Sequence, residues 1–205
     1  VANTATLALM VKDDPRDLST MTYSDNQFRH KVVFYGTAPS FWGISVGLRF
    51  SGIGGTRYSL AVSGNMNGDF VSSNDLAYIY EGIQAILDNP EAEKSVKDYI
   101  RKNYGKVAER NGGVNGFYGT FDLRLNKNFK IYKTHSIEAS IDFFNFLNML
   151  NKDWGAGHNL GKQNIYSIKS FDAEKKQYVY NVNKNTGVSN MNGNPWQIQI
   201  GVRYK

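Results

Sequence analysis

The sequence predicts an all-β fold: a segment of a transmembrane antiparallel β-barrel with a helical loop on its outer side. Three observations lead there. Within residues 119–155, Phe121, Leu123, Leu125, Phe129 and Ile131 alternate with Asp122, Arg124, Asn126, Asn128 and Lys130, the period-two signature of a sheet dividing two environments. This run and its neighbour reach the about 9–11 residues that a tilted membrane strand needs, where strands in globular sheets usually stop at about 5–6. The last segment repeats the design, with Trp196, Ile198, Ile200, Val202 and Tyr204 set against Gln197, Gln199, Gly201, Arg203 and Lys205. A sheet packed over a core also alternates. The polar faces here, however, carry full charges of both signs, Arg124, Lys130 and Arg203 against Asp122, Glu138 and Asp142, as a hydrated lumen requires.

Taken in order, residues 4–12 read as a first strand with Ala5, Leu7, Leu9 and Val11 outward, followed by a polar loop over residues 13–27. Residues 28–36 form a second strand whose facing stays open, because both of its faces carry apolar and basic residues. A brief turn at Ala38, Pro39 and Ser40 leads into a third strand with Trp42, Ile44, Val46, Leu48 and Phe50 toward lipid and Gly43, Ser45, Gly47 and Arg49 inward. A Gly-rich bend at residues 51–55 and a strand-like stretch at 56–62 lead to an excursion over residues 63–118. There Leu76, Ile79, Tyr80, Ile83, Ile86 and Leu87 recur at helical spacing after Asp75, an N-cap residue type. A second helix is expected with Asn89 as cap and Pro90 at its first position, running past Val96, Ile100 and Val107 to Gly112 and Gly113. This loop is therefore expected to be a folded cap.

The fourth and fifth strands are expected at residues 119–132 and 136–146, close together. Residues 148–194 hold a hairpin, IYSIKSF and QYVYNVN around DAEKK, before the final strand. Long and short connections alternate, as they do in outer-membrane barrels with short periplasmic turns and longer outer loops. A periplasmic C-terminus puts turns near Pro39 and Lys133 inside and the loops at 13–27, 63–118 and 148–194 outside. About six strands fall short of the minimum of about eight. An open sheet in lipid leaves edge groups unsatisfied at several kcal/mol each, so the chain is expected to be one piece of a larger barrel.

The chain has 205 residues, a net charge of +6, 14% aromatic residues and no cysteine. No run approaches the ~18 apolar residues of a membrane helix, a test that alternating barrel strands evade. Trp42, Trp154 and Trp196 each stand near a strand end, where interfacial girdles lie. Lacking cysteine, the chain has neither disulfides nor thiolate metal sites. Its positive charge is spread and forms no basic stripe with stacking aromatics, which argues against nucleic-acid binding. No signal peptide is visible at Val1, so an exported protein implies a removed leader or numbering that begins inside a longer chain.

From residue 36 onward the chain resembles the C-terminal barrel portion of TonB-dependent outer-membrane transporters of the Bacteroidota type, especially the Oar-like group with an N-terminal carboxypeptidase-regulatory-like domain. The matching pieces are YSLAVSGNMNGDFVSSNDLAYI, FDLRLNKNFKIY, ASIDFFNFLNMLNKDWG and the closing WQIQIGVRYK. The resemblance implies a barrel of about 22 strands, filled by a plug domain and powered through TonB, that imports a bulky or scarce substrate. Outer-membrane lipid, the plug and remaining strands of the same protein, TonB and a surface lipoprotein are the implied partners. Family members usually end in an aromatic residue, whereas this chain ends Tyr204-Lys205. The alternatives are a barrel that anchors or docks other surface proteins and a soluble all-β binding domain with a helical insertion.

For chemistry, Asn65, Asn67, Asp69 and Asp75 resemble an oxygen-ligand calcium loop. Its first position is Asn rather than Asp, and Phe70 stands where the sharp turn wants glycine. An Asn/Gly-rich turn is the preferred reading. His30, His135 and His158 lie in no zinc-binding spacing, and no Gly-x-Ser-x-Gly elbow occurs. No catalytic residue, metal or cofactor is expected. Glu138 and Asp142 are expected to pair with Arg124 or Lys130 across the neighbouring strand. The candidates for contact with lumen water, plug or substrate are Arg49, Asp122, Arg124, Lys130, Glu138, Asp142, Gln197, Gln199 and Arg203. Asn145, Asn148 and Asn151 are expected to end a strand and cap turns.

Overall fold

A computed structural model describes Met10, Ser19 and residues 21–81, 83–189 and 195–205. The strand expected at residues 4–12 lies, apart from Met10, outside the described residues. The protein is mostly β, with strands β1 (His30–Phe41), β2 (Ile44–Gly54), β3 (Arg57–Ser63), β4 (Gly113–Val114), β5 (Phe117–Tyr132), β6 (His135–Phe144), β7 (Lys162–Asp172), β8 (Gln177–Val182) and β9 (Gln197–Tyr204). Among the described residues the short helices are α1 (Gln84–Leu87), α2 (Lys94–Lys102) and α3 (Phe146–Leu150). Among the described residues no helix is long and apolar enough to cross a membrane. The chain divides into two units.

The sheet unit comprises Phe28–Gly54, Phe117–His158 and Met191–Lys205. Its single five-stranded sheet has the order β1-β2-β5-β6-β9, every neighbour antiparallel. The two hairpin turns, Trp42-Gly43 and Lys133-Thr134, leave one end of this sheet. Gly54 pairs with Phe117, and Phe144 with Gln197, at the other end, where the long connections begin and finish.

The expected turn at Pro39 is displaced to Trp42 and Gly43, whose φ values of 52° and 76° form the two-residue hairpin shape that matches strand twist. Pro39 remains within β1, and a register irregularity between Ala38 and Phe41 accommodates its missing N–H. Trp42 is thus a turn residue rather than a lipid-facing strand residue. The strand begun at Ile44 continues to Gly54, through most of the expected Gly-rich bend. Packing explains those glycines, since a Cβ at Gly52 would lie 2.4 Å from the Phe117 ring.

The loop unit is built on Gly55–Gly116 and Asn159–Asn190, with residues up to Gln27. Its sheet has the order β4-β3-β7-β8; β3 and β7 run parallel and the other pairs antiparallel. Around it Tyr58, Leu60, Val62, Ile79, Ile86, Val96, Ile100 and Ile165 form a buried core. The β7–β8 hairpin coincides with the expected IYSIKSF and QYVYNVN segments.

The helix expected from Leu76 is confined to α1. Residues 74–81 instead run extended: the Ala77 N–H donates to the Leu60 carbonyl at 3.1 Å and the Ile79 N–H to the Lys106 carbonyl at 2.9 Å. These non-local bonds override the local helical spacing; Leu76 and Ile79 are buried from an extended path, Ile83 and Ile86 where the chain turns into α1. Asp75 caps no helix; its carboxylate accepts from the Met66 N–H at 2.7 Å. The second helix starts after Glu93 and ends at Asn103. Asn89 lies in a turn before it, its Oδ1 accepting from the Glu91 N–H at 2.9 Å, and Val107 bridges Tyr78. Val96 and Ile100, four residues apart, bury the inner face of α2.

Candidate functional site

The register of the sheet unit sorts its side chains. Phe34, Phe50 and Phe121 lie in one cross-strand row; Leu48, Leu123, Phe143 and Ile198 share another, and Val46, Leu125, Ile141 and Ile200 a third. Directly opposed residues share a face. An apolar face therefore runs across all five strands, interrupted on β5 by Lys127. It also settles β1, whose Val32, Phe34, Gly36 and Ala38 join this face.

Among the described residues of the sheet unit no second layer covers it. Within the sheet unit Ala156 is the one buried hydrophobic side chain among the described residues, while Ile131 is 58% exposed, Ile198 46% and Val202 74%. Aromatic side chains stand at both ends: Phe41, Trp42 and Tyr132 by the hairpin turns, Trp154 and Trp196 by the long connections, all exposed.

All nine residues singled out from the sequence lie on the opposite, polar face. Arg49 opposes Asp122; Arg124 opposes Asp142, which opposes Gln199; Glu138 opposes Arg203. Gln197 stands opposite Phe144, and Lys130 opposite Ser136. Arg124 Nε lies 3.5 Å from Asp142 Oδ1 and donates to Asn126 Oδ1 at 3.1 Å. With Arg124 half exposed, such a pair contributes at most about 1 kcal/mol. Glu138 takes Lys205 as its ion partner rather than Arg124 or Lys130, because β9 brings the chain's last lysine alongside.

Arg49, Asp122, Arg124 and Asp142, with Tyr35 and Thr37, line a concavity of about 430 Å³. Both signs of charge stand at it, and most of its remaining lining is apolar, Phe144 included. Tyr35 was missed from the sequence because the facing of β1 was open; recognising Trp42-Gly43 as the turn would have set its register.

Three asparagines organise the rim at the long-connection end. Asn145, at φ 51°, donates its N–H to Asp122 Oδ1 at 2.9 Å and its Nδ2 to the Gly155 carbonyl at 3.2 Å. Asn148 Nδ2 donates to the Lys152 and Trp154 carbonyls, and its Oδ1 accepts from the Trp196 N–H at 3.3 Å. Asn151 Oδ1 accepts from the Asp153 N–H. At the turn end, His135 stacks on Tyr204 and hydrogen-bonds its hydroxyl.

In the loop unit, the calcium-like segment turns its oxygens onto itself. Asn65 Oδ1 accepts from the Gly68 N–H, Asn67 Oδ1 from Asp69, and Asp69 Oδ1 from Val71. Asn74 donates to Asp69 Oδ2 at 2.6 Å. Burial raises the Asp75 carboxyl above its ordinary range. These are turn-forming bonds of Asn and Asp, and they hold Phe70 at φ 68° and 97% exposed.

No family model, curated protein or solved structure matches the chain.

Proposed function

We propose that the chain is the C-terminal wall section and outer loops of a TonB-dependent outer-membrane transporter that imports a bulky or scarce substrate. One observation carries the membrane part of this reading. A single-layer sheet of five strands bears an uncovered apolar face on one side and alternating charges on the other. In water an uncovered apolar face of this size is unfavourable; against hydrocarbon it is at home.

Dimensions agree. Ten residues separate Phe121 from Ile131, and at about 3.4 Å per residue with a tilt near 40° they rise about 25 Å, the height of a barrel's apolar band. Exposed aromatics at both ends fit interfacial girdles. Among the described residues the outer edges of β1 and β9 have no strand partner, and in this reading further strands complete them, since lipid offers their backbone groups no partner. In this reading the polar face meets the plug and the passing substrate, and the chain performs no chemistry of its own.

The self-contained core of the loop unit favours a second reading, a barrel that displays a docking domain without importing. Both readings share the wall, and the cysteine-free chain makes the wall testable. Single cysteines at Val202 and Gln199 are to be reacted in intact outer membranes with a charged, water-soluble maleimide. Val202→Cys is expected to be protected and Gln199→Cys labelled; equal labelling of both sinks the membrane reading. Absence of any TonB-dependent substrate uptake, with Val202→Cys still protected, would leave the docking reading.

A further inference from the structure

We propose that Lys127 binds the phosphate of a phospholipid in the leaflet on the hairpin-turn side of the sheet, an assignment that rests on the membrane reading above. Lys127 breaks the apolar pattern of β5. Register puts it on the apolar face, directly opposite Ile44 on β2 and Ala139 on β6, with Leu125 and Phe129 before and after it on the same strand. The residues sharing that face in register, from Val32 to Tyr204, include no carboxylate. Lys127 is half-buried. Its Nζ lies over the Phe129 ring, 5.4 Å from the centroid.

Phe129 is nearer the Lys133-Thr134 turn than Lys127 is, so the side chain runs along the apolar face toward that end. A lysine facing lipid is most costly at the midplane and least so near an interface. The direction it takes is the one that lowers this cost, because a long stem covers apolar surface while the ammonium reaches the headgroups. The other hairpin turn supplies matching interfacial residues. Trp42 stacks on Phe41 at 4.9 Å between centroids and stands just before Ile44, the residue in register with Lys127. A cation on a face without carboxylates, flanked by aromatic rings and led to the level of the headgroups, is complementary to a phosphodiester.

The test uses the full chain in nonionic detergent, titrated with dioleoylphosphatidylglycerol and followed by native mass spectrometry. Lys127→Gln is expected to lose one retained lipid, with apparent affinity for that lipid about fivefold weaker. Lys127→Arg is expected to keep it, and inorganic phosphate alone is expected not to displace it. Unchanged lipid binding in Lys127→Gln, displacement by inorganic phosphate at equal concentration, or a co-purified protein carboxylate cross-linked to Lys127 each overturns the assignment. Sheet circular dichroism identical to the parent guards against misfolding. Loss of Val202→Cys protection would instead remove the membrane reading itself, so the two failures are distinguishable.

Discussion

Asn145 donates its backbone N–H to the Asp122 carboxylate at 2.9 Å across the sheet rim. Because Asn145 sits at φ 51° just after β6, this bond fixes the point where the strand stops and the chain turns into α3. Asp122 therefore belongs to the rim as well as to the charged face. Replacing Asp122 by Ala is expected to destabilise the sheet unit by about 1–2 kcal/mol, since the bond is charge-assisted but half-exposed. Asp122→Asn, which keeps an acceptor, is expected to lose less than half of that. Thermal unfolding in detergent, followed by circular dichroism, measures both.

Gly155 answers to the same asparagine. At φ 65°, with an added Cβ only 2.0 Å from Asn145 Oδ1, Gly155→Ala is expected to cost about 1–3 kcal/mol. Combining it with Asn145→Gly is expected to be less than additive, because the second change removes the group the methyl strikes. A double-mutant cycle on unfolding midpoints reads the coupling.

Facing can be tested by charge. Ile200→Lys is expected to cost about 2–4 kcal/mol when the chain is inserted in vesicles, whereas Gln199→Lys, one residue away and on the other face, is expected to change stability by less than about 0.5 kcal/mol. Equal penalties at the two positions would contradict the assignment of faces.

Acid should loosen the segment at residues 21–27 from the loop unit. Asn111 donates to Asp25 Oδ1 at 2.6 Å, and Arg110 pairs with Asp25 Oδ2 at 3.0 Å. The Asn111 bond first, then the Arg110 charge, holds the Asp25 carboxyl below its ordinary range. A depressed folded-state value means that the stabilisation is present above the unfolded carboxylate range and is lost as pH falls through the folded value. Protection of the 21–27 amides, taken relative to the intrinsic exchange rate at each pH, is expected to fall below about pH 4. Asp25→Asn is expected to remove that pH dependence while exchanging faster at neutral pH.

The alternation at Phe121–Ile131 and Ile198–Tyr204 was legible because facing in a strand is a local property: each residue's side is decided by its parity. The same parity put all nine polar candidates on one face. Pairing partners were harder to read. Glu138 met Lys205, not Arg124, and Asp142 met Arg124, because cross-strand neighbours depend on register, which turns set. The turn itself was misplaced at Pro39, since a proline is a strong turn signal that a register irregularity can absorb.

By itself, then, the sequence determined that one long sheet of this protein has an apolar and a polar face, where its hairpins lie approximately, and that the excursion after residue 63 is folded. Only the tertiary structure decided what that excursion is. β3 and β7, about a hundred residues apart, join in parallel, and Leu76 and Val107, whose spacing suggested helix, are drawn into extended bridges with Ala61 and Tyr78. The physical reason is one of range. Strand parity and length are written along a few consecutive residues, whereas the hydrogen-bond partners of residues 74–81 come from distant segments whose buried core outweighs the small helix preference of the segment itself.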